Sequence, residues 1–132
     1  MSADVAYLDT SAFVKTITAE PESAAIVRFL QQWPGRASSK LLRLEALRTM
    51  RRLGPEPTAR TRAQLQHVVL IDVDDRILDT AALLEPAALR SLDAIHLATA
   101  QLLGADLGVI VTYDERMAAG ARALGFIAES PT

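Results

Sequence analysis

The chain has no cysteine and few aromatic residues among its 132 positions. The absence of cysteine excludes disulfide bonds, thiolate zinc sites and cysteine nucleophiles, so any bound metal ion must be held by oxygen or imidazole. Because only 5% of the residues are aromatic, base stacking of the kind used by single-strand binders is not expected to dominate. Half of the residues are hydrophobic, and a chain of that composition is expected to fold.

Long hydrophobic runs are also missing. No apolar stretch reaches the roughly 18 residues that a membrane-spanning helix needs, and residues 1–9 lack the order of basic, apolar and small residues found in a secretory signal. We therefore expect a cytoplasmic protein without a membrane partner. A length of 132 residues suits one domain with its own core. No repeat or low-complexity tract divides it, so residues 1–132 are predicted to form a single domain.

The formal net charge is only −2, which gives little general attraction for nucleic acid. The positive charges are concentrated in the middle of the chain, where only Glu45 and Glu56 oppose them. This basic stretch consists of Arg36, Lys40, Arg43, Arg48, Arg51, Arg52, Arg60 and Arg62. It is either a solvated helical surface or a set of contacts for phosphates.

Short apolar segments typical of strands alternate with helical stretches. The strand-like segments are residues 5–8, 68–73, 109–112 and 126–128, with a very short one near 37–38. Apolar spacing of the helical type occurs at 11–19, 23–32, 40–53, 58–67, 74–84, 91–103 and 115–124. Parallel neighbouring strands need crossover connections, so this alternation predicts an α/β fold, a three-layer α/β/α sandwich with a central parallel sheet of about five strands.

Two acidic residues follow predicted strands. Asp9 comes directly after the first strand, and Asp114 comes shortly after the 109–112 strand. Ligands in such folds bind beyond the carboxyl ends of the strands, so both carboxylates are predicted to lie at one functional edge of the sheet. Thr10 or Ser11 is then expected to cap the first helix, although Asp9 and Asp114 could themselves be ordinary helix caps.

Two further acidic residues lie on predicted helices. Glu45 belongs to the 40–53 helix and could either face the cleft or pair with Arg48 or Arg52 on the helix surface. Asp93 lies in the first turn of the 91–103 helix, where an acid is favoured by the helix dipole alone. The core-facing residues of the 40–53 helix are predicted to be Leu42, Ala46, Met50 and Leu53.

The combination of these acids is more informative than any one of them. Four carboxylates in one cleft repel each other and need a counter-cation to remain ionised together. Oxygen ligands without thiolate select Mg²⁺ or Mn²⁺ over zinc. A divalent ion held in this way suits the hydrolysis of phosphodiester bonds, because it activates water and stabilises negative charge on the phosphate.

Two other classes of protein with an acidic pocket on a parallel sheet fit the sequence poorly. A receiver domain of two-component signalling needs a lysine late in the chain, whereas the only lysines are Lys15 and Lys40. A phosphatase of the haloacid dehalogenase type begins with an Asp-x-Asp motif, whereas Asp9 is followed by Thr10 and Ser11.

Four fragments carry the acids and their surroundings: YLDTSAFVK, LLRLEALR, SLDAIHLATA and VTYDERMAAGA. In order and spacing they resemble the motifs of the PIN domain family, and within it those of the VapC-type toxins of bacterial toxin–antitoxin pairs. The resemblance implies a PIN-like fold over the whole chain. It also implies a catalytic pocket with Asp9 and Asp93 as direct Mg²⁺ ligands, and with Glu45 and Asp114 binding through water or completing a second site.

The same resemblance implies a function. It points to a Mg²⁺-dependent (or Mn²⁺-dependent) endoribonuclease that acts on structured RNA such as tRNA, is silenced by a VapB-like antitoxin and forms a homodimer. The alternative is a PIN-fold module that binds RNA or a protein without cutting. Two residues stay open: Glu115 could join the site or face solvent, and His96 could contact the pocket edge or, on the simpler interpretation, be a packed helix histidine.

Overall fold

Five parallel strands form the central layer of the computed structural model, which describes residues 3–132. Their spatial order is β3-β2-β1-β4-β5. In chain order they are β1 Val5–Leu8, β2 Gly35–Ser39, β3 Val69–Ile71, β4 Leu107–Val111 and β5 Ala128–Glu129. Met1 and Ser2, at the start of the predicted domain, lie outside the described residues.

The chain changes direction across the sheet at β1. Strands β2 and β3 extend the sheet on one side of β1, and β4 and β5 extend it on the other. The carboxyl ends of β1 and β4 therefore lie next to each other at the point where the strand order reverses. Ligands of open α/β sheets bind at such a point.

Helices cover both faces of the sheet. The helices are α1 Thr10–Val14, α2 Ser23–Leu30, α3 Leu41–Arg51, α4 Pro55–Leu65, α5 Asp75–Ala82, α6 Ser91–Leu102 and α7 Glu115–Ala123, with a 3₁₀ turn at Gly104–Asp106. No helix in residues 3–132 is long and apolar enough to cross a membrane.

Two hydrophobic clusters lie on opposite faces of the sheet, because side chains alternate along each strand. Ala6 and Leu8 of β1 pack on one face with residues from α1, α2, α3 and α4. Tyr7, between them, packs on the other face with residues from α6 and α7. The predicted three-layer α/β/α sandwich with five parallel strands is therefore confirmed.

Most helix boundaries lie within two residues of the prediction, and two differ by more. Helix α1 ends at Val14 instead of continuing to residue 19, because the hydroxyls of Thr16 and Thr18 donate to the carbonyls of Phe13 and Val14. Such hydroxyl bonds compete with helix continuation. Helix α4 begins at Pro55, three residues earlier than predicted, since proline is well tolerated at the first position of a helix.

The strand near residues 37–38 is longer than predicted. Strand β2 runs from Gly35 to Ser39, and its last three residues are buried. They are Ala37, Ser38 and Ser39, whose small side chains lack the β-branched pattern that marks strands in a sequence. Their place between β1 and β3 puts them in the sheet, because the backbone pairs on both sides.

Helix α3 is anchored by a narrow buried stripe. Leu42, Ala46 and Met50 are buried as predicted, whereas Leu53, which was expected to join them, is 58% exposed. Leu53 lies beyond the end of α3, in the turn before Gly54, so the helical periodicity no longer determines its direction.

We expect Leu42→Ala to lower the free energy of unfolding by about 2–5 kcal/mol, because it leaves a cavity under α3. Leu44, on the same helix, is 58% exposed, and Leu44→Ala should change stability by only about 0.5 kcal/mol. Urea unfolding of both variants measures the difference. Similar losses for the two would contradict the packing of α3 described above.

Candidate active site

The four acidic residues predicted from the sequence line one pocket. It has a volume of about 300 Å³ and opens at the carboxyl ends of β1 and β4. Its lining consists of Asp9, Thr10, Ser11, Glu45, Arg90, Ser91, Leu92, Asp93, His96 and Asp114. The fold therefore brings together side chains that are up to 105 positions apart in the sequence (Asp9 and Asp114).

Asp9 is the most buried of the four acids, with 5% of its surface exposed. Its Oδ1 accepts hydrogen bonds from the Ala12 N–H (3.0 Å) and the Ser11 hydroxyl (2.7 Å), and its Oδ2 accepts one from the Thr112 hydroxyl (2.5 Å). Burial raises the pKa of Asp9, and these three donors act in the opposite direction. The carboxylate is thus held in one position by groups that favour its charged form.

The prediction that Thr10 or Ser11 caps α1 is wrong. Asp9 is the cap, because its own carboxylate accepts from the Ala12 N–H while its backbone is extended. Thr10 is the first residue of the helix. The hydroxyls of Thr10 and Ser11 bind acids of the pocket instead, Thr10 to Glu45 and Ser11 to Asp9.

Asp114 caps α7, as one interpretation of the sequence predicted. Its Oδ1 accepts from the backbone N–H of Arg116 (2.8 Å) and Met117 (3.1 Å). The Asp114 N–H in turn donates to the Thr112 hydroxyl oxygen. Because Thr112 also donates to Asp9, one threonine positions both acids that follow the central strands.

Glu45 does not pair with an arginine. Its Oε1 accepts from the Thr10 hydroxyl (2.6 Å) and lies 3.1 Å from Nε2 of His96. Burial raises the pKa of Glu45, but the bonds from His96 and Thr10 outweigh it and leave the pKa below its usual value. Glu45 is therefore held as a carboxylate that faces the pocket.

His96 joins the pocket to the buried layer beneath it. Its Nδ1 lies 2.7 Å from the hydroxyl of Tyr7, which accepts from the Ser39 N–H (3.1 Å). Burial raises the pKa of Tyr7, so its hydroxyl keeps its proton and can donate to Nδ1. A carboxylate can only accept, so Nε2 carries the proton that is directed at Glu45. His96 is packed, as expected, and it also contacts the pocket.

Asp93 has an unsatisfied oxygen. Its Oδ2 is buried and has no hydrogen-bond partner among residues 3–132. Burial raises the pKa of Asp93, and the nearby carboxylates of Asp114 and Asp9 raise it further, while Arg90 acts in the opposite direction. A buried carboxylate oxygen without a donor is rare in folded proteins and needs an explanation.

The acids share the pocket without crowding around one point. In the described part of the chain, no three acidic or histidine side chains are arranged to hold a single metal ion by themselves. Glu115, whose place was left open, is exposed and does not line the pocket. The arrangement leaves room for water among the acids.

Comparison with known proteins identifies the family. The family model of the PIN domain matches residues 6–123. The chain belongs to the PIN domain family. It is 48% identical over 126 residues to ribonuclease VapC46 of Mycobacterium tuberculosis, a match that covers 96% of this chain and 97% of that protein.

Two solved structures resemble this PIN domain closely in fold. One is a toxin–antitoxin complex from Klebsiella pneumoniae, with a TM-score of 0.74 and 25% identity over 96% of this chain and 98% of that one. The other is VapC20 of Mycobacterium tuberculosis, described as a toxin that cleaves the sarcin–ricin loop, with a TM-score of 0.76 and 17% identity over 96% and 99% of the two chains.

Sequence reasoning missed several residues around the pocket of this PIN domain: Arg90, Ser91 and Leu92 in its lining, and Tyr7 and Thr112 beneath it. Tyr7 and Thr112 are the two that fix pocket side chains. Both read as ordinary strand residues, and both are buried at 0% exposure. Each lies within two residues of a pocket acid, Asp9 or Asp114. A polar side chain in a strand that is buried on both faces is a signal that could have pointed to them, because such a group needs a hydrogen-bond partner.

We expect Asp93→Asn to raise the melting temperature of the metal-free protein at neutral pH. The folded-state pKa of Asp93 lies above its ordinary value of 3.8, so the folded state binds more protons and loses stability as the pH rises through this window. The amide does not ionise, and its advantage should disappear below pH 3.8. Exposed Asp79 supplies a control, since Asp79→Asn should shift the melting temperature by no more than about 2 °C at either pH.

We also expect Tyr7→Phe to lower the free energy of unfolding by about 1–3 kcal/mol, because it leaves the Ser39 N–H and Nδ1 of His96 buried without a partner. Tyr113→Phe is the matched control: its hydroxyl donates only to the carbonyl of Pro131 in a partly buried position. Urea unfolding should show the smaller loss for Tyr113→Phe. Equal losses would mean that the Tyr7 hydroxyl has no special role.

Proposed function

We propose that this VapC-type ribonuclease, the toxin of a toxin–antitoxin pair, cuts RNA in the acidic pocket with a divalent metal ion. Its catalytic residues are Asp9, Glu45, Asp93 and Asp114. One observation carries the proposal: Oδ2 of Asp93 is buried without a hydrogen-bond partner in residues 3–132, and burial and the neighbouring acids raise the pKa of that carboxyl. A cation in the pocket would supply what this oxygen lacks.

The donor set suits Mg²⁺, with Mn²⁺ as a substitute. The acids around the pocket offer only carboxylate oxygens, the ligands that these hard cations prefer. Asp9 and Asp93 would hold the ion. Oδ1 of Asp9 already accepts two bonds and Oδ2 accepts one, so one acceptor position of Oδ2 remains. Oδ2 of Asp93 has no partner in the described part of the chain. Two protein ligands are enough, since Mg²⁺ keeps several of its waters.

When bound, the ion would lower the pKa of a water and stabilise negative charge on the phosphate. The chain's own residues prepare the pocket for this chemistry. Thr112 and Ser11 hold the carboxylate of Asp9 in place. Glu45, kept ionised by Thr10 and His96, is an acceptor that can take a proton from a water in the pocket.

The proposal includes partners. The relatives named above are a ribonuclease and a chain from a toxin–antitoxin complex, which supports RNA as the substrate and a VapB-like antitoxin as the silencing partner. We also propose that the protein acts in the cytoplasm and forms a homodimer. Residues 1–132 would form one PIN domain. Light scattering of the protein purified with and without the antitoxin measures the molecular mass, and therefore the oligomeric state, of each assembly.

We expect Asp9→Asn and Asp93→Asn each to lower the rate of RNA cutting by at least about 100-fold, because each removes a proposed metal ligand. The test uses protein freed of antitoxin, total cellular RNA and Mg²⁺ or Mn²⁺, with EDTA abolishing the activity. Glu115→Gln is the matched control: it removes an exposed acid directly after Asp114 and should leave cutting unchanged.

Circular dichroism and the melting temperature show whether each variant is folded. Cutting that survives both aspartate substitutions, or that continues in EDTA, would exclude this site. A folded wild-type protein that binds RNA but cuts none of it with either metal would favour the non-catalytic module instead.

A further inference from the structure

The basic stretch of the sequence separates into groups in the structure. Lys40 pairs with Asp72 at 3.0 Å, and Arg60 pairs with Glu56 at 3.2 Å. The guanidinium of Arg36 reaches the carbonyl of Leu30. These three cations already have partners within the chain, so they are the weaker candidates for binding an external anion.

The remaining arginines are exposed and have no acidic partner within residues 3–132. They are Arg43, Arg48, Arg51, Arg52 and Arg62. Unpaired guanidinium groups keep their charge and their donors available for an anion, and their fork geometry matches phosphate oxygens. Only those that lie on the same surface as the pocket can contact a nucleic acid whose backbone passes through it.

Helix geometry divides these five arginines. Arg48 and Arg52 follow Glu45 by three and seven residues, which places them within about 60° of it around α3. Arg51 lies beside them, and the three line one shallow depression of about 250 Å³. Arg43 points to the opposite side of α3, where it lines a separate depression of about 360 Å³ with Arg62 of α4.

The surface formed by Arg48, Arg51 and Arg52, called here the arginine stripe, begins one helical turn after Glu45, which lines the catalytic pocket. Arg48 lies about 4.5 Å and Arg52 about 10.5 Å further along the helix axis than Glu45. The stripe therefore leads away from the carboxylates along one surface. Arg43 and Arg62 lie in a separate depression on the opposite side of α3 and do not lead to the carboxylates.

We propose that the arginine stripe binds the phosphates of RNA next to the cleavage position. This inference rests on the proposed function and names how the substrate is held. The pocket acids repel phosphates, and the net charge of −2 supplies no general attraction. Binding of a polyanion must therefore come from local cations, which are Arg90 in the pocket lining and the unpaired arginines of the stripe, one helical turn beyond Glu45. Contacts of this kind position RNA without reading its sequence.

The test compares two double variants that change the net charge equally. Arg48→Gln with Arg52→Gln alters the stripe, and Arg43→Gln with Arg62→Gln is the control. Both are made in the Asp93→Asn background, so that RNA stays intact. The probe is a set of short labelled single-stranded RNAs of different sequence, titrated with protein between about 50 and 200 mM salt.

We expect the stripe variant to weaken binding about tenfold, equally for all RNA sequences. The slope of log affinity against log salt should become shallower by about 1.4, the change for two lost phosphate contacts on a single strand. The control should retain the parent slope and affinity. Melting temperatures of both variants check that the fold is intact.

Equal effects of the two double variants would overturn the proposal, because total charge would then explain them. Unchanged RNA binding combined with weaker antitoxin binding or a weaker dimer would also overturn it and would assign the stripe to a protein partner. The proposed function is judged separately, by RNA cutting in protein that retains Asp93. A failure of the stripe therefore cannot be mistaken for a failure of the nuclease.

Discussion

The carboxylate of Asp9 ties together the three elements on which the pocket depends. Asp9 directly follows β1, its carboxylate caps α1, and it accepts a hydrogen bond from Thr112, which directly follows β4. Because the bond to Thr112 joins neighbouring strands at the point where the strand order reverses, the position of Asp9 also sets that of Asp114, whose backbone N–H binds the same threonine. The geometry of the acidic edge follows from this one buried carboxylate and its donors.

The acids of the pocket illustrate a conflict between stability and function. Burial raises the pKa of Asp9, and burial together with the nearby carboxylates of Asp114 and Asp9 raises the pKa of Asp93, so holding them ionised destabilises the folded chain. The structure offsets part of this at Asp9 with three donors and leaves Oδ2 of Asp93 with none in the described residues. Under the proposed function a cation would bind at this oxygen, since full satisfaction by protein donors would leave nothing for the ion to bind.

A second network supports Glu45 from the other face of the sheet. Tyr7 alternates with Ala6 and Leu8 and so points away from them, into the layer of α6. From there it orients His96, which donates to Glu45 on α3. Helices on different faces of the sheet are thereby connected through polar side chains, and the pocket is held from two sides. The chain belongs to the PIN domain family, and the network of Tyr7, His96 and Glu45 is a feature of this chain's own structure.

Strand and helix types, their alternation and the four acids could all be predicted from the sequence. Apolar periodicity reports which face of an element is buried, and parallel strands bring their carboxyl ends to one edge. The limits of that reasoning appear at particular residues. Residues 35–39 carry only a weak strand signal, which predicted a very short strand near 37–38, and Thr16 and Thr18 end α1 through local hydroxyl bonds that apolar spacing does not register.

The sequence by itself therefore determined the fold class and the identity of the acidic residues, because both follow from local pattern and from spacing along the chain. Only the tertiary structure decided what each polar group binds. Ser11, Thr112, Tyr7 and His96 have partners up to 103 positions away, and hydrogen bonds of that kind depend on packing between elements. Packing between elements also decides how the cations are grouped. The order of charges along the chain does not show that Lys40 pairs with Asp72, that Arg48, Arg51 and Arg52 share one surface, or that Arg43 and Arg62 share another.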